Sequence, residues 1–358
     1  MFDYLDAQQN TMATYTITVQ PSGHQFTASD DQNILDAALA AGIVLPYSCR
    51  AGACSSCKGK VLLGQYEAGA APAQILQPEE LDEGFTLFCQ AQAKSDMVIE
   101  SREVRLASDI QIRKLPARLT KLSKPAPDVA VLTLQLPSSE TFRFYAGQYV
   151  EIILKDGKRR SYSMANSPNQ AAALELHVRH MPGGVFTDHV FGAGATAMKE
   201  REILRLEGPF GSFFLREDSD KPIVFLASGT GFAPIKAIVE YMIEQSNKRP
   251  AVLYWGGRRP QDLYMDELAR GWEQQLPEFR YIPVVSDALE EDNWTGRTGF
   301  VHQAVMQDYP DLSGHEVYAC GAPVVVESAR KDFVAVCGLP DEAFFADAFT
   351  SAADSAQV

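Results

Sequence analysis

The sequence predicts a multidomain chain of α+β and α/β type: a small mixed domain, an antiparallel β-barrel, and a parallel α/β domain. Three observations carry this expectation. The 358 residues exceed what one ordinary core accommodates. Between residues 118 and 211 the chain is rich in short strands broken by turn residues, as in an antiparallel barrel. From Lys221 onward, apolar strands alternate with helical stretches, the rhythm of a parallel sheet.

Bulk properties exclude several classes. With 46% hydrophobic and 22% charged residues the chain is globular rather than disordered. Its longest apolar runs, such as residues 223–227, are strand-sized, so no membrane association is expected. No basic segment precedes an apolar one at the N-terminus; a cytoplasmic location, with reduced thiols, is the expectation. A net charge of −14 opposes nucleic-acid binding, which needs basic patches. It fits a basic protein partner or ordinary solubility equally well. A monomer is expected.

Residues 1–13 read as an N-terminal extension, with Met12 as an alternative start. The first domain spans 14–106. Residues 15–19 alternate polar and apolar side chains, Pro21 to His24 supply a turn, and residues 25–27 return as the second strand of a hairpin. Asp30 or Asp31 is expected to cap a helix over 34–40, which Gly42 ends. Strands are expected again at 60–63 and 97–101.

Four of the six cysteines, Cys49, Cys54, Cys57 and Cys89, fall as C-x4-C-x2-C and a distant fourth. Gly52 and Gly59 permit unusual dihedrals, and Ala51, Ala53, Ser55 and Ser56 are small enough to bring backbone N–H groups close to an anionic centre. Three thiolates from one loop and one from afar match the plant-type [2Fe–2S] spacing. Disulfides do not suit a reducing compartment, and structural zinc sites usually come as two C-x2-C knuckles. This segment resembles a plant-type ferredoxin, which implies a β-grasp fold. Cys320 and Cys337 are too few for a second cluster.

A linker is expected over 107–115 and the barrel domain over 116–214, with strands at 130–136, 149–154, 174–179 and 203–208. Arg160, Tyr162 and Ser163 form an R-x-Y-S sequence after a strand. Pro182, Gly183, Gly184, Val185 and Thr187 open a helix further on. Glycines ahead of a helix present amides to a pyrophosphate, Thr187 adds a hydroxyl, Arg160 neutralises phosphate, Tyr162 lies against a flat ring and Ser163 donates a hydrogen bond to it.

In the last domain, 219–350, a strand runs into Gly229, Thr230, Gly231 and Pro234, a phosphate cradle that departs from G-x-G-x-x-G at the third glycine. Cys320 and Gly321 close a later strand at the same sheet edge. Arg258 and Arg259 follow the second strand, where the adenosine ribose lies in such domains; a clamp on a 2′-phosphate there would favour NADPH. Residues 351–358 read as a tail.

The middle and C-terminal regions resemble the ferredoxin–NADP reductase superfamily. That resemblance implies a six-stranded barrel binding FAD rather than FMN, and a Rossmann-like domain binding NADH, with NADPH as the alternative. It assigns Arg160 to the flavin pyrophosphate, Tyr162 to the isoalloxazine and Ser163 to its N5. It sets His177, Val178 and Arg179 on the ribityl and phosphate side, and Thr230 and Cys320 beside the nicotinamide. Phe349 becomes the candidate for the aromatic near the isoalloxazine face that nicotinamide must reach. The whole chain is similar to reductase components of aromatic-ring oxygenases and to CDP-6-deoxyglucoseen reductases. It implies electron flow from NADH through FAD and the cluster to a partner protein, expected to be a terminal oxygenase. The alternatives are a hydroxylase, a dehydrase, or a free-standing flavin or ferric reductase; a cluster-based redox sensor is the rival from another class. The six histidines show no C-x-H pairing, so a Rieske oxygenase is excluded.

Overall fold

The computed structural model describes residues 12–73, 75–106, 110–194 and 196–349. Residues 1–11, the first part of the expected linker and the tail 351–358 lie outside them. The described residues form two compact units, 12–106 and 110–349.

In the first unit a hairpin, Thr14–Gln20 (β1) and Gln25–Ser29 (β2), leads to the helix Ile34–Ala40 (α1). Then come Ile43–Val44 (β3), Lys58–Leu63 (β4), Tyr66–Glu67 (β5), the short helix Pro78–Asp82 (α2), Phe85–Leu87 (β6), Gln92–Ala93 (β7), Met97–Glu100 (β8) and Arg105–Leu106 (β9). The main sheet runs β2-β1-β8-β4-β6, with β1 and β8 parallel and the other pairs antiparallel. That mixed sheet, with α1 burying Ile34, Leu35, Ala37 and Ala38, is the expected β-grasp arrangement. The cap is a correction: neither Asp30 nor Asp31 but Asn33 starts α1, its Oδ1 accepting from the Asp36 N–H at 2.7 Å. Asp31 instead accepts from the Ser29 hydroxyl at 2.7 Å, which holds it in the turn before the helix. Gly42 takes a left-handed φ of 75°, as a residue just beyond a helix end does.

The second unit begins with six antiparallel strands: Arg113–Ala126 (β10), Val129–Gln135 (β11), Tyr149–Ile153 (β12), Arg159–Ser163 (β13), Ala173–Arg179 (β14) and, after the helix Val185–Phe191 (α3), Ile203–Phe210 (β15). Their order is β13-β12-β15-β10-β11-β14, and a bridge between Met164 and Leu176 joins the two outer strands into a barrel. β10 starts inside the expected linker, and R-x-Y-S lies within a strand rather than after one. Both strands carry many charged residues, because only alternate side chains face the barrel interior.

The rest alternates as expected: Ile223–Ser228 (β16), Phe232–Glu244 (α4), Ala251–Gly257 (β17), Asp266–Trp272 (α5), Phe279–Val285 (β18), Arg297–Thr298 (β19), Val301–Asp308 (α6), Glu316–Gly321 (β20), Pro323–Ala335 (α7) and Phe344–Ala348 (β21). The sheet is parallel throughout, in the order β19-β18-β17-β16-β20-β21. Its core is aromatic: Phe232 stacks on Trp255 with ring centroids 3.9 Å apart, and Trp272 lies beyond at 5.5 Å. β21 converts the expected C-terminal run into an edge strand beside β20, which brings the end of the described chain to the carboxyl edge of the sheet.

Candidate functional site

Cys49, Cys54, Cys57 and Cys89 gather in the first unit as two pairs. The Cys54 thiol donates to Cys49 Sγ at 3.1 Å, and the Cys57 and Cys89 thiols are hydrogen-bonded to each other. Among the described residues no three His, Cys, Asp or Glu side chains converge on a single ion. Two thiol pairs, however, are the donor set of a two-iron cluster, two sulfurs to each iron.

Amides complete the cradle. The Ala51 N–H points at Cys49 Sγ at 3.4 Å, and the Gly52 amide reaches Cys89. In each pair the hydrogen bond lowers one thiol (Cys49, Cys89) and raises the other (Cys54, Cys57), as a shared proton does. Gly59 is required sterically: a Cβ there would stand 2.3 Å from the Phe88 ring. Arg50 is held in a left-handed conformation, φ 56°, and its guanidinium reaches Asp36 at 2.7 Å. These residues fit the cluster that their spacing predicts.

In the second unit the barrel and the carboxyl edge of the parallel sheet meet. Ser163, at the end of β13, donates to Asp347 Oδ2 on β21 at 3.3 Å. Asp347 is the register partner of Cys320 on β20, and all three residues are buried. Burial pushes the Cys320 thiol well above its ordinary range, and the charge of Asp347 adds to that. Two glycines allow the approach: a Cβ on Gly231 would lie 2.1 Å from the Cys320 carbonyl oxygen, and one on Gly321, φ 134°, 2.2 Å from Ser228 Oγ. Phe349 donates its N–H to the Gly321 carbonyl at 2.8 Å and packs, half-buried, against the core of the sheet domain. Thr230 is buried in the turn ahead of α4 and Pro234 in its first helical turn, where a missing N–H does no harm.

Arg179 supplies the test for phosphate. Its Nε reaches Asp128 at 3.0 Å, and its Nη1 stands 2.6 Å from where a Cβ on Gly229 would be. Its Nη2 is buried without a hydrogen-bond partner. A guanidinium nitrogen left so beside a glycine turn at a helix start fits a phosphate oxygen. Tyr162 packs on Phe186 with centroids 5.4 Å apart, and burial raises its hydroxyl, consistent with a ring used for stacking. Arg160 is half-buried, its Nη1 donating to the Arg159 carbonyl at 2.7 Å.

Three expectations change. The Thr187 hydroxyl does not point out for a phosphate: it donates to the Met181 carbonyl at 2.8 Å and accepts from the Met181 N–H at 3.2 Å, closing the turn that holds Gly183 and Gly184. Val178 faces the barrel core, so only its backbone is available to a cofactor, whereas Val185 is exposed. His177 turns away from a phosphate role, its ring buried between Glu175 and Tyr264. Arg258 is exposed and 3.9 Å from Asp262, while Arg259 is held by Asp292 at 3.0 Å. Asp347 was missed altogether, because an acidic residue in an apolar tail carries no motif until β21 pairs with β20.

A buried hydroxyl, carboxylate and thiol at the carboxyl edge of a parallel sheet, beside a barrel whose Arg179 keeps a buried guanidinium nitrogen without a partner, together with a four-cysteine unit, define the class of an iron–sulfur flavoprotein reductase. Family models agree in the same order: a 2Fe-2S iron-sulfur cluster binding domain over 17–94, an oxidoreductase FAD-binding domain over 116–215 and an oxidoreductase NAD-binding domain over 225–331. The chain is 42% identical to a CDP-6-deoxy-L-threo-D-glycero-4-hexulose-3-dehydrase reductase of Yersinia pseudotuberculosis, covering 93% of this chain and 98% of that one. It is 36% identical to the reductase component 1 of a terephthalate 1,2-dioxygenase of Comamonas, over 94% and 98%. The crystal structure of the Amycolatopsis cytochrome P450 reductase GcoB matches with a TM-score of 0.75 and 33% identity, over 94% and 99%. The chain belongs to this family of three-domain reductases: it is an oxidoreductase with [2Fe–2S], FAD and NAD sites that passes electrons to a partner. No helix of the described residues is long and apolar enough to cross a membrane.

Proposed function

We propose that the chain takes hydride from NADH at the meeting of barrel and sheet and delivers electrons singly, through Cys49, Cys54, Cys57 and Cys89, to an acceptor protein. The observation that carries this is the convergence of Ser163, Cys320 and Asp347 from three strands of two domains, a geometry that simple packing does not require. When bound, FAD supplies two-electron acceptance with stepwise release, and the cluster supplies one-electron carriage. The residues position these groups. The Gly229–Gly231 turn and Arg179 hold dinucleotide phosphate, Arg160 holds flavin phosphate, and Tyr162 supports the ring. The Asp347 carboxylate fixes the Ser163 hydroxyl, and Cys320 excludes water from the nicotinamide face. Phe349 covers that face until the nucleotide arrives.

NADH is the proposed donor. Arg259 is already engaged by Asp292 at 3.0 Å and by Glu291 at 3.8 Å, and those carboxylates oppose a 2′-phosphate. A dehydrase acting on a CDP-linked deoxyhexulose is the proposed acceptor, supported by the higher identity to the Yersinia reductase. The oxygenase reading is favoured instead by the Comamonas relative and the GcoB structure.

An anaerobic NADH titration tests the core reading. Bleaching of both flavin and cluster absorbance, at a rate at least tenfold above that with NADPH, is the expected result; bleaching of flavin alone contradicts it. Reconstitution with a purified dehydrase and a purified oxygenase, following NADH oxidation, separates the two acceptors.

A further inference from the structure

Where barrel meets sheet, four side chains outside the expected machinery form a polar chain around His177, Lys236 buried and Glu175, Glu240 and Tyr264 half-buried. His177 Nδ1 is 2.7 Å from the Tyr264 hydroxyl and its Nε2 is 2.9 Å from Glu175 Oε1. Lys236, from α4, lies 3.1 Å from the same Glu175 oxygen and 2.9 Å from Glu240 Oε1, and it donates to the Ala165 carbonyl at 3.0 Å. The His177 side chain is wholly buried and that of Lys236 7% exposed. His177 also stands at the reacting end. The Met164–Leu176 bridge places Ser163 opposite His177; Met164 and Leu176 fill the barrel core, so Ser163 and His177 both point outward to the nucleotide sheet.

The direction of every hydrogen bond in this chain follows from charge. Glu175 is ionised, its carboxyl drawn down to about 2 against the effect of burial by His177 and Lys236. A carboxylate only accepts, so the imidazole proton sits on Nε2 and Nδ1 is bare. The Tyr264 hydroxyl therefore donates to Nδ1. A protonated imidazole has no acceptor left, so its formation turns the bond round: Nδ1–H donates to the Tyr264 oxygen and the Tyr264 O–H loses the acceptor it has now. The groups around His177 are Glu175 on its own strand, Lys236 and Glu240 on α4, and Tyr264 ahead of α5; the charges of Arg179 and Cys320 also act on Tyr264. Lys236 already neutralises Glu175 and so opposes a second cation.

We propose that His177 is a positioning residue for hydride transfer: as a neutral imidazole of one tautomer it pins Tyr264, and with it the nucleotide sheet, to the barrel strand flanking Ser163, and its burial, helped by Lys236 beside Glu175, keeps it neutral. Burial is the main effect lowering the basicity of His177; the Glu175 carboxylate raises it, and the Lys236 charge, the smallest contribution, lowers it further. Hydride transfer tolerates little slip between donor and acceptor, which is what such a pin prevents. The proposal rests on the reading of NADH as hydride donor only for its kinetic consequence.

The test uses the full chain loaded with FAD and cluster. Nitrogen-15 histidine spectra, with His177 assigned by its loss in His177→Gln, are expected to show the Nε2–H tautomer from pH 8 down to about 5.5, an unperturbed histidine titrating near 6.5. An Nδ1–H tautomer, or protonation near 6.5, overturns the proposal. Single-turnover bleaching of flavin by NADH then reads the consequence. Lys236→Gln is expected to acquire an acid limb between about pH 6 and 7, with a roughly tenfold loss of rate, that disappears when His177→Gln is added. Tyr264→Phe is expected to slow the same step roughly tenfold, and no further in combination with His177→Gln, since both remove one bond. A Lys236→Gln profile that superimposes on the wild type, or full additivity of the last pair, overturns it. Should wild-type flavin not respond to NADH at all, the donor assignment fails while the tautomer result still decides the pin.

Discussion

Cys320 and Asp347 sit side by side on adjacent parallel strands, and the Ser163 hydroxyl reaches that carboxylate from the barrel. Replacing Asp347 by Asn removes the charge that raises the thiol and weakens the anchor of Ser163; the rate of flavin reduction by NADH is expected to fall roughly tenfold with FAD content unchanged, as loss of one positioned group does. Stopped-flow bleaching with a flavin assay checks this. Gly231→Ala sets a methyl group 2.1 Å from a carbonyl oxygen on β20, where neither backbone can yield. It is expected to cost about 2 kcal/mol, read by denaturant unfolding of the second unit. Ser163, Cys320 and the four cluster cysteines were legible because each belongs to a short motif. Asp347, Glu175 and Lys236 were not, because buried charge becomes meaningful only once its partners, distant in sequence, are known.

At the scale of elements, α1 and the seam between barrel and α4 make separate predictions. Asn33→Ala removes the α1 cap and is expected to destabilise the first unit by about 1 kcal/mol, seen by circular dichroism. The seam is pH-sensitive in a defined sense. His177 has its basicity lowered in the folded chain, so the unfolded chain binds more protons, and stability falls as pH drops below the unfolded value near 6.5. Glu175 is held down to about 2, so its contribution, on the order of 3 kcal/mol, is present above about 4.5 and disappears as pH falls towards 2. Glu240, raised by burial, acts in the opposite sense. Melting temperature is therefore expected to decline in two stages on acidification, and His177→Gln is expected to flatten the first. Most strands and helices were legible from apolar rhythm and turn residues. β10 and β13 were not, since a barrel strand with one polar face and several arginines or lysines reads as a link or a loop. β21 was hidden because its burial depends on β20 beside it.

For the whole molecule, the three family domains within two compact units describe a converter in which the nucleotide gives two electrons together and the cluster passes them on one at a time. The order of the domains was legible because each has its own cofactor motif, whereas the choice of acceptor is written on a surface that no motif marks. Cytochrome c reduction by Cys54→Ser, driven by NADH and compared with wild type at equal FAD content, tests the central claim most directly. The expected result is a loss of at least tenfold in cytochrome c reduction while NADH still bleaches the flavin at the wild-type rate. Cytochrome c reduction at full rate without that thiolate would contradict the account, since electrons would then leave by a route other than the cluster.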